Sequence, residues 1–510
     1  EGDGEAAFVR GLLDGEVPGG WLRPLDAAAG WAETVGRAGR PVLNREQEEA
    51  WRAAFERAVT VIWGPPGTGK TYLLAWTLLG LAAAAKREGR PFRVLVTAVT
   101  HRAIVNVLSR LAREVEASGI PAPLRAVKLK GRGAAPDVEL AGGMVEVIED
   151  EKLTAYLEAA DAEGMPLLVG STVWSLWKRM RAANGGDDTK PVHPMFDVVV
   201  IDEASQMKVA ESLVALSSAR RGARVILAGD DRQLAPIVRG SYPEDDPLFG
   251  STFSYHSERF GRVMLRESRR MSEGLIDYPR RLFYPGLVAW EPEREIRTLP
   301  EVDLSDPLDA LLWDVFFRPE HAAVLVTYDG YHATARNPLE ASLAARLASL
   351  ARAGLADPET GARYAAEKFR SHALAILSPH RAQNSAILGE LAARGWPREE
   401  MPVVDTVERM QGNEREMVIV SYAVADREYA EREAEFLLDP NRFNVSITRA
   451  RSKLVVFVSE EILRALPRDE RVMTASMAVK GYPRALAAGT REIEVPAPDG
   501  TLVRLVCRFR

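Results

Sequence analysis

Residues Gly64–Thr71 read GPPGTGKT, which matches the pattern G-x-x-x-x-G-K-[S/T] between an apolar run and a helical stretch. Glycines in such a loop let backbone N–H groups turn inward around phosphate oxygens, and the following helix adds partial positive charge. Lys70 is expected to reach the β- and γ-phosphates, and Thr71 to supply a Mg²⁺ ligand. A chance match in a Gly-rich turn is the alternative. The nucleotide-binding residues predicted in this loop are Gly64, Pro65, Pro66, Gly67, Thr68, Gly69, Lys70 and Thr71.

A second motif, VVVIDEA, spans Val198–Ala204. Its four apolar residues favour a strand that ends at Asp202 and Glu203, and an open parallel sheet binds ligands at such strand ends. We expect Asp202 to hold Mg²⁺ and Glu203 to orient and deprotonate an attacking water. Two acids that merely end a strand are the alternative. The pair favours hydrolysis over transfer of a phosphoryl group to a small substrate.

The composition excludes several classes of protein. The chain has 510 residues, 46% of them hydrophobic and 27% charged, which is typical of soluble globular proteins and predicts several domains. The longest apolar run, Leu73–Ala85, is too short to span a membrane, so no membrane partner is expected. A single cysteine, Cys507, excludes a four-cysteine zinc ribbon within this chain and suits a cytoplasmic location. The net charge of −6 means that any nucleic-acid site must be a local basic groove.

Short β-rich runs alternate with helical patterns from about residue 58, and this alternation predicts an α/β fold with doubly wound parallel sheets. We assign residues 1–40 to an N-terminal segment, 41–240 to a first lobe, 241–480 to a second lobe and 481–510 to a C-terminal β-hairpin appendage. A helical insertion is predicted at about 110–166, and a hinge around Gly240–Ser251. The basic segment Arg125–Arg132 of the insertion is either a nucleic-acid clamp or a solvated loop.

Five further segments narrow the class of NTPase. They are LNREQEEAW (43–51), GDDRQLAP (229–236), LRESRRMSEGLIDYPRRLFY (265–284), DTVERMQGNERE (405–416) and RFNVSITRAR (442–451). With the two motifs above, their order and spacing resemble superfamily 1B helicases over roughly residues 42–459. The resemblance is strongest to the branch that contains the nonsense-mediated-decay RNA helicase, senataxin and the Okazaki-fragment nuclease-helicase. It implies two RecA-like lobes with ATP and Mg²⁺ bound between them, and 5′→3′ movement on single-stranded nucleic acid.

The resemblance assigns roles to individual residues of the nucleotide site. Gln47 matches the glutamine that reads adenine, because an amide offers both a donor and an acceptor; a polar residue at a helix start is the alternative. Gln206 and Gln233 match the sensors of the γ-phosphate and the water. Glu414 matches the acid that contacts the ribose.

Two arginines of the second lobe, Arg270 and Arg449, occupy the arginine-finger positions of the family. Their expected role is to neutralise transition-state charge on the γ-phosphate, and a surface salt bridge is the alternative. Arg451 could brace the second lobe. Arg269 stands where the family usually has an aromatic residue that stacks on the base. Since a guanidinium can also stack through its plane, Arg269 remains a predicted base contact and the base selectivity stays open.

Other matching positions predict contacts to a nucleic-acid strand. Hydroxyls and backbone N–H groups suit phosphates and read no sequence. Trp174 and Trp177 could stack on bases, although we favour a core or inter-lobe role for them. The predicted nucleic-acid contacts are Thr100, His101, Thr172, Trp174, Ser378 and Thr406.

The favoured function is that of an ATP-dependent helicase or translocase on single-stranded DNA or RNA. One alternative is an ATP-driven clamp or remodelling switch in a repair or defence complex, with little unwinding. Another is a signalling P-loop NTPase or a small-molecule kinase. A protein partner or an effector domain outside this chain is also compatible with the sequence. The sequence does not distinguish DNA from RNA, because it identifies no residue that reads a 2′-hydroxyl.

Overall fold

The computed structural model describes residues 2–17, 20–130, 140, 143–183, 194–238, 243, 246–486 and 488–510. The chain divides into two compact units. The first comprises Glu1–Asp231 and Ala235–Arg266, and the second comprises Arg232–Leu234 and Glu267–Arg510. No helix in the described ranges is long and apolar enough to cross a membrane.

The first unit is built on an eight-stranded sheet in which every neighbouring pair is parallel. The strand order is β4-β3-β5-β2-β6-β7-β1-β8. The strands are β1 (Val59–Trp63), β2 (Arg93–Thr97), β3 (Arg125–Lys130), β4 (Val145–Glu149), β5 (Leu167–Gly170), β6 (Phe196–Ile201), β7 (Ala219–Gly229) and β8 (Val263–Met264).

Nine helices in the described part of the first unit connect these strands or precede them. The apolar run Leu73–Ala85 lies in α4 and is buried on every side, which explains its composition without a membrane. The helices are α1 (Gly2–Asp14), α2 (Ala27–Glu33), α3 (Arg45–Glu56), α4 (Lys70–Arg87), α5 (His101–Ser118), α6 (Leu153–Glu163), α7 (Val173–Ala183), α8 (Val209–Leu216) and α9 (Thr252–Phe260).

The insertion differs in part from the sequence expectation. Its helical content is borne out by α6, but two strands, β3 and β4, extend the sheet at one edge. The basic segment Arg125–Arg132 is therefore neither a clamp nor a solvated loop where the structure describes it, because Lys128 and its apolar neighbours are buried in β3. Residues 131–132 lie outside the described residues. Within β3 the four consecutive residues Ala126, Val127, Lys128 and Leu129 are all buried, as in a strand that is covered on both faces.

The boundary between the units also differs from the predicted one. It lies at Arg266 and Glu267 instead of residue 240. The reason is that α9 packs against β1, and β8 pairs with β1 in parallel. Residues 240–242 and 244–245 of the predicted hinge lie outside the described residues.

The second unit contains a seven-stranded sheet of order β13-β12-β14-β15-β11-β17-β16 and a short parallel pair, β9 and β10. The predicted C-terminal hairpin is present and belongs to the sheet, because β17 pairs antiparallel with β11. The strands are β9 (Glu267–Ser268), β10 (Val288–Ala289), β11 (Ala323–Tyr328), β12 (Leu374–Leu377), β13 (Val403–Asp405), β14 (Arg415–Ser421), β15 (Ala450–Ser459), β16 (Gly489–Pro496) and β17 (Leu502–Phe509).

The helices of the second unit are α10 (Glu273–Leu282), α11 (Pro307–Phe316), α12 (Pro338–Gly354), α13 (Ala366–Lys368), α14 (Arg381–Ala393), α15 (Val407–Met410), α16 (Arg427–Arg432), α17 (Ala434–Leu437), α18 (Pro440–Ile447), α19 (Glu460–Arg464), α20 (Glu470–Lys480) and α21 (Tyr482–Ala485). The five strands β11 to β15 are joined in parallel. The predicted class, two RecA-like α/β lobes with parallel sheets, is therefore confirmed.

A buried carboxyl group, that of Glu340 in α12, ties the carboxyl ends of β11 and β14 together. Its oxygens accept hydrogen bonds from the Tyr328 hydroxyl, the Ser421 hydroxyl at 2.6 Å and the Ala423 N–H at 2.9 Å. Ala423 has a positive φ of 67°, which a non-glycine residue seldom adopts. Burial raises the pKa of Glu340 to about 7, although the three hydrogen bonds oppose this rise.

We expect Glu340→Gln to remove a pH dependence from the stability of the second unit. The folded state binds the Glu340 proton more tightly than the unfolded chain, whose carboxyl has an ordinary pKa of 4.5. The contribution of Glu340 to the free energy of unfolding is therefore greatest below pH 4.5, and it falls by about 3 kcal/mol as the pH rises to about 7. Thermal melting of the parent and Glu340→Gln at several pH values should show the variant gaining relative stability across this window. A constant difference would contradict the assignment.

Candidate nucleotide and nucleic-acid sites

Parallel pairing brings two polar segments, the P-loop Gly64–Thr71 and the acidic pair Asp202–Glu203, to one edge of the first sheet. Strand β7 lies between β6 and β1, with Trp63 opposite Gly229 and Ile201 opposite Leu227. The P-loop follows Trp63, and the acidic pair follows Ile201. Their side chains therefore start from the same edge of the sheet, on two strands that β7 alone separates, and an open parallel sheet binds its ligand at this edge.

The P-loop has the backbone geometry that its sequence predicts. Gly67 and Gly69 have φ values of 79° and 80°, a region that favours glycine. A Cβ atom at Gly64 would lie 2.4 Å from the Lys70 Cγ, so a side chain there would displace the lysine. The Thr68 hydroxyl donates to the Pro65 carbonyl at 2.8 Å and fixes the turn. Helix α4 begins directly after the loop and directs its N-terminus at it.

Lys70 and Gln47 both contact the loop itself. The Lys70 ammonium donates to the Gly64 carbonyl. The buried Gln47 amide donates to the Thr68 carbonyl at 3.2 Å and forms a capping box with Asn44 at the start of α3. Gln47 therefore has the structural role of a residue at a helix start, and adenine reading remains a prediction for it. Thr71 is half-buried in the first turn of α4.

Asp202 and Glu203 form a carboxylate pair with unfavourable electrostatics. Asp202 is only 4% exposed and accepts the Glu203 N–H at 2.9 Å. Burial, followed by the neighbouring Glu203 charge, raises the pKa of Asp202, while Lys70 opposes the rise. A divalent cation would favour the charged form of this buried acid. Asp202, with the hydroxyl of Thr71, therefore fits the donor set that Mg²⁺ prefers.

Glu203 has a positive φ of 50°. Such strain in a non-glycine residue is concentrated at functional sites. Gln206, in the 3₁₀ turn Ala204–Gln206, donates its amide N–H to the Glu203 carboxylate at 3.3 Å. Gln206 therefore contacts the carboxylate that we predict to orient the attacking water, and its sensor role remains a prediction.

Sequence reasoning did not single out Asp230, although it lies within the GDDRQLAP segment. This fully buried acid accepts the indole N–H of Trp63 at 3.2 Å, directly before the P-loop. The signal for it was an acid directly after an apolar strand, the same signal that identified Asp202. Gln233 is buried within Arg232–Leu234, the short segment that clusters with the second unit.

In the second unit, Arg270 and Arg449 lie in one cluster. Arg270 donates through Nε to the Glu414 carboxylate at 2.6 Å and through Nη1 to the Thr448 carbonyl at 2.9 Å. Arg449 donates through Nε to the Val445 carbonyl at 2.9 Å and through Nη2 to the Thr448 hydroxyl at 3.1 Å. Both guanidiniums are buried. The alternative that either arginine forms a surface salt bridge is therefore wrong.

Glu414 is surrounded by cations. Burial raises the pKa of Glu414, but the nearby charges of Arg270, Arg451 and Arg449 outweigh burial, so the pKa lies below its usual value. Glu414 is therefore a charged acid that orders the arginine cluster in this structure, and the predicted ribose contact remains a prediction. Arg451 lies 3.7 Å from the Glu414 carboxylate and 3.9 Å from Glu416, in agreement with a bracing role.

Arg269 lies beside an aromatic residue that sequence reasoning missed. Its guanidinium lies 4.8 Å from the ring centroid of Trp290, which is 52% exposed. Trp290 follows β10, and its backbone N–H donates to the Ser268 carbonyl at 2.8 Å. No signal in the sequence linked the two residues, because they are separated by a helix and a turn.

The predicted nucleic-acid contacts of the first unit divide into exposed and buried side chains. Thr100 and His101 are exposed at the start of α5, after β2. Trp174 is 61% exposed, so the core role that we favoured for it is wrong. Trp177 is half-buried beneath the Arg181 guanidinium, 5.3 Å from its ring centroid. Thr172 is buried and accepts the Ser175 N–H, so it caps α7 instead of presenting a free hydroxyl surface.

In the second unit, Ser378 and Thr406 follow the paired strands β12 and β13, where Leu377 lies opposite Asp405. Thr406 is half-buried, and its N–H donates to the Asp405 carboxylate at 2.8 Å. Ser378 is fully buried, and its hydroxyl accepts the His380 N–H at 3.3 Å. The Ser378 side chain therefore shapes the turn and is not on the surface in this structure.

Comparison with known proteins supports the resemblance. Two family models, each described as an AAA domain, match residues 42–245 and 246–461. The chain is 26% identical over 442 residues to the ATP-dependent helicase NAM7 of Saccharomyces cerevisiae, covering 81% of this chain and 41% of that protein. It is 25% identical over 436 residues to the DNA replication ATP-dependent helicase/nuclease DNA2 of Gallus gallus, covering 84% and 38%. The chain thus spans less than half the length of these relatives.

Similarity to solved structures is more distant. A complex of Arterivirus nonstructural protein 10 (helicase) with DNA aligns with 83% of this chain and 63% of its own, at 12% identity and a TM-score of 0.37. That likeness is too low to support a conclusion. The motifs, the two matched domains and the curated relatives agree, and the chain carries the paired AAA domains of a superfamily 1 helicase of the branch that includes the nonsense-mediated-decay and DNA-replication helicases.

Proposed function

We propose that this chain is the ATP-hydrolysing motor of a helicase or translocase that acts on single-stranded nucleic acid. The observation that carries the proposal is the arrangement at the edge of the first sheet. There the charge of the P-loop lysine, Lys70, stabilises the charged form of Asp202. Glu203, which has a positive φ, accepts a hydrogen bond from Gln206. A P-loop with an adjacent acidic pair is suited to hydrolysis of a nucleoside triphosphate.

In the proposed reaction, the N–H groups of the P-loop and the Lys70 ammonium hold the phosphates of ATP. Thr71 and Asp202 would hold Mg²⁺, which would supply positive charge beside the phosphates. Glu203 accepts a proton from the attacking water, whose position Gln206 helps to fix. When ATP binds, the Lys70 ammonium exchanges its hydrogen bond to the neutral Gly64 carbonyl for one to an anionic phosphate oxygen, which is the stronger acceptor.

We assign Arg270 and Arg449 to the stabilisation of transition-state charge, as the family resemblance implies. Their guanidiniums are held in fixed orientations by Glu414, by the Thr448 carbonyl and hydroxyl, and by the Val445 carbonyl. Preorganised donors of this kind stabilise developing charge without reorganising during the reaction.

The strand is proposed to contact the carboxyl-end loops of both sheets. In the first unit, the exposed residues Thr100, His101 and Trp174 support this role. In the second unit, the loop that contains Thr406 supports it. Contacts of this composition read phosphates and stack on any base, so binding should depend on salt and little on sequence. Movement in the 5′→3′ direction and a cytoplasmic location complete the proposal.

The decisive experiment measures ATP turnover with single-stranded DNA, with single-stranded RNA and with neither. Stimulation by one of the two strands is expected and identifies the substrate. A signalling NTPase or a small-molecule kinase would show no stimulation by either strand, which would overturn the proposal. A strand-displacement assay on the stimulating nucleic acid then separates a helicase from an ATP-driven clamp.

Glu203→Gln is expected to bind ATP within about threefold of the parent and to lose hydrolysis by about 10²-fold or more, because the base is removed and the shape is kept. Lys70→Ala should lose hydrolysis as well, through weakened phosphate binding. Labelled-nucleotide binding and single-turnover hydrolysis distinguish the two effects. Glu116→Gln, at an exposed site on α5, is the matched control. Near-normal turnover in Glu203→Gln would remove Glu203 from the catalytic role.

Arg449→Ala is expected to lose about 10³-fold in stimulated turnover, the scale of an arginine finger, and to bind nucleotide within about tenfold of the parent. Arg449→Lys should rescue poorly, because an ammonium lacks the planar fork. Arg442→Ala is the matched control, since Arg442 lies on α18 and its guanidinium donates to the Glu408 carboxylate at 2.9 Å and to the Phe436 carbonyl at 2.7 Å. Equal losses of turnover in Arg442→Ala and Arg449→Ala, with equal falls in melting temperature, would indicate a structural role.

Trp174→Ala is expected to weaken binding of single strands by about tenfold, as loss of one base-stacking contact does. Trp174→Phe should keep most of the affinity because it preserves an aromatic face. Fluorescence anisotropy with labelled oligonucleotides of different sequence measures both effects. Trp177→Ala serves as the comparison, because Arg181 already covers its ring. Unchanged affinity in Trp174→Ala would exclude Trp174 from the strand-binding surface.

A further inference from the structure

The segment Val288–Arg294 supports the backbone that carries Arg269 and Arg270. Arg294 donates through Nη1 to the Arg269 carbonyl at 3.1 Å and to the Arg270 carbonyl at 2.8 Å. The side chain of Arg294 is only 14% exposed. One guanidinium nitrogen thus holds two consecutive carbonyls. Because one carbonyl belongs to the peptide before the Arg270 Cα and the other to the peptide after it, both peptide planes are fixed.

Arg294 is itself anchored within the same segment. Its Nε and Nη2 donate to one oxygen of the Glu291 carboxylate at 2.8 and 2.5 Å. Backbone hydrogen bonds also join the segment to the residues directly before Arg269. Strand β10 pairs in parallel with β9, and the backbone N–H of Trp290 donates to the Ser268 carbonyl. Beyond Arg270, the Glu273 N–H donates to the Pro292 carbonyl at 3.0 Å. The support therefore spans the residues before and after Arg270.

The side chain and the backbone of Arg270 are held by different parts of the second unit. Glu414 and the Thr448 carbonyl bind the Arg270 guanidinium, whereas Arg294 binds the Arg270 carbonyl. A group that acts on a transition state must be placed to within a fraction of an ångström, and a 1 Å displacement can reduce turnover by about 10²-fold. Side-chain partners alone do not set the position of the Cα atom from which a long, flexible side chain extends.

We propose that Arg294 is a positioning residue for Arg270, which holds the Arg270 backbone so that its guanidinium meets the transition state. This inference rests on the proposed role of Arg270 in ATP hydrolysis. The role requires arginine because its planar fork bonds to Glu291 and to two carbonyls at once. Removal of the Arg294 side chain leaves both carbonyls without this donor, and the peptide planes can then rotate.

The first test is steady-state ATP hydrolysis by the full chain with a stimulating single strand. Arg294→Ala should lower kcat by about 10- to 100-fold and leave KM for ATP within about threefold, because Arg294 contacts no residue assigned to ground-state phosphate binding. Arg294→Lys should recover part of kcat, since an ammonium can bond to the carbonyls without the fork. Arg297→Ala is the matched control: Arg297 lies three residues further along, is exposed, and donates to the Pro358 carbonyl. It should behave like the parent.

The second test separates positioning from a general structural effect. In an Arg270→Ala background, adding Arg294→Ala should lower kcat by less than about twofold, because the group that Arg294 positions is already absent. Glu291→Gln supplies a milder variant if Arg294→Ala folds poorly. It weakens the anchor of Arg294 and should reproduce a smaller fall in kcat with KM unchanged.

Parent-like kcat in Arg294→Ala would overturn the inference, as would an equal fall in kcat with or without Arg270. A rise in KM with kcat unchanged would show that Arg294 acts on nucleotide binding, and would also overturn it. Failure of the proposed function has a different result: Arg270→Ala would then hydrolyse ATP like the parent. Parent-like turnover in Arg270→Ala rejects the finger role itself, whereas loss in Arg270→Ala without loss in Arg294→Ala rejects only the positioning role.

Discussion

Burial of Asp202 beside Glu203 is the interaction on which the rest of the nucleotide site depends. The charged form of Asp202 is unfavourable, because this acid is buried away from water and the charge of Glu203 lies beside it. The fold accepts this cost along with the strained φ of Glu203. Lys70 offsets only part of it, and the lysine also bonds to the Gly64 carbonyl. The electrostatic energy of the empty site is thus higher than that of a site filled with phosphates and a cation. Ligand binding can lower it.

In the second unit the buried charges are positive, and they already have hydrogen-bonding partners. Its arginines are not left uncompensated, because Glu414 and a set of backbone carbonyls hold them. Hydrogen bonds from an ionised donor are the stronger class, so this cluster is stable before any nucleotide is present. The two units therefore contribute differently: the first holds charge that needs a ligand, and the second holds cations that are already oriented. That difference is expected if the first binds the phosphates and the second acts on the transition state.

Much of this arrangement was predictable from local sequence, and the failures have identifiable causes. The P-loop and the acidic pair were predictable because an apolar strand, a turn and a helix follow one another within a few residues. The strand β3 was missed because its charged residues, Lys128 among them, suggested a surface, although Lys128 lies between apolar residues and is buried with them. Trp174 was misjudged because helical spacing of aromatics usually indicates a core, and only the packing of α7 decides which face is exposed. Ser378 illustrates that a residue at a strand end can be buried by its own turn.

Residues that act through another segment are the hardest to predict from one sequence. An aromatic face lies beside position 269 although the residue there is arginine, because β10 brings Trp290 against it. Arg294 reaches the same backbone from the same segment. Neither contact leaves a spacing pattern, since a helix and a turn separate the partners in the chain. A motif described only as a run of residue types therefore omits part of what supports it: the Arg270 backbone is held by a guanidinium two dozen residues away that makes no distinctive sequence pattern.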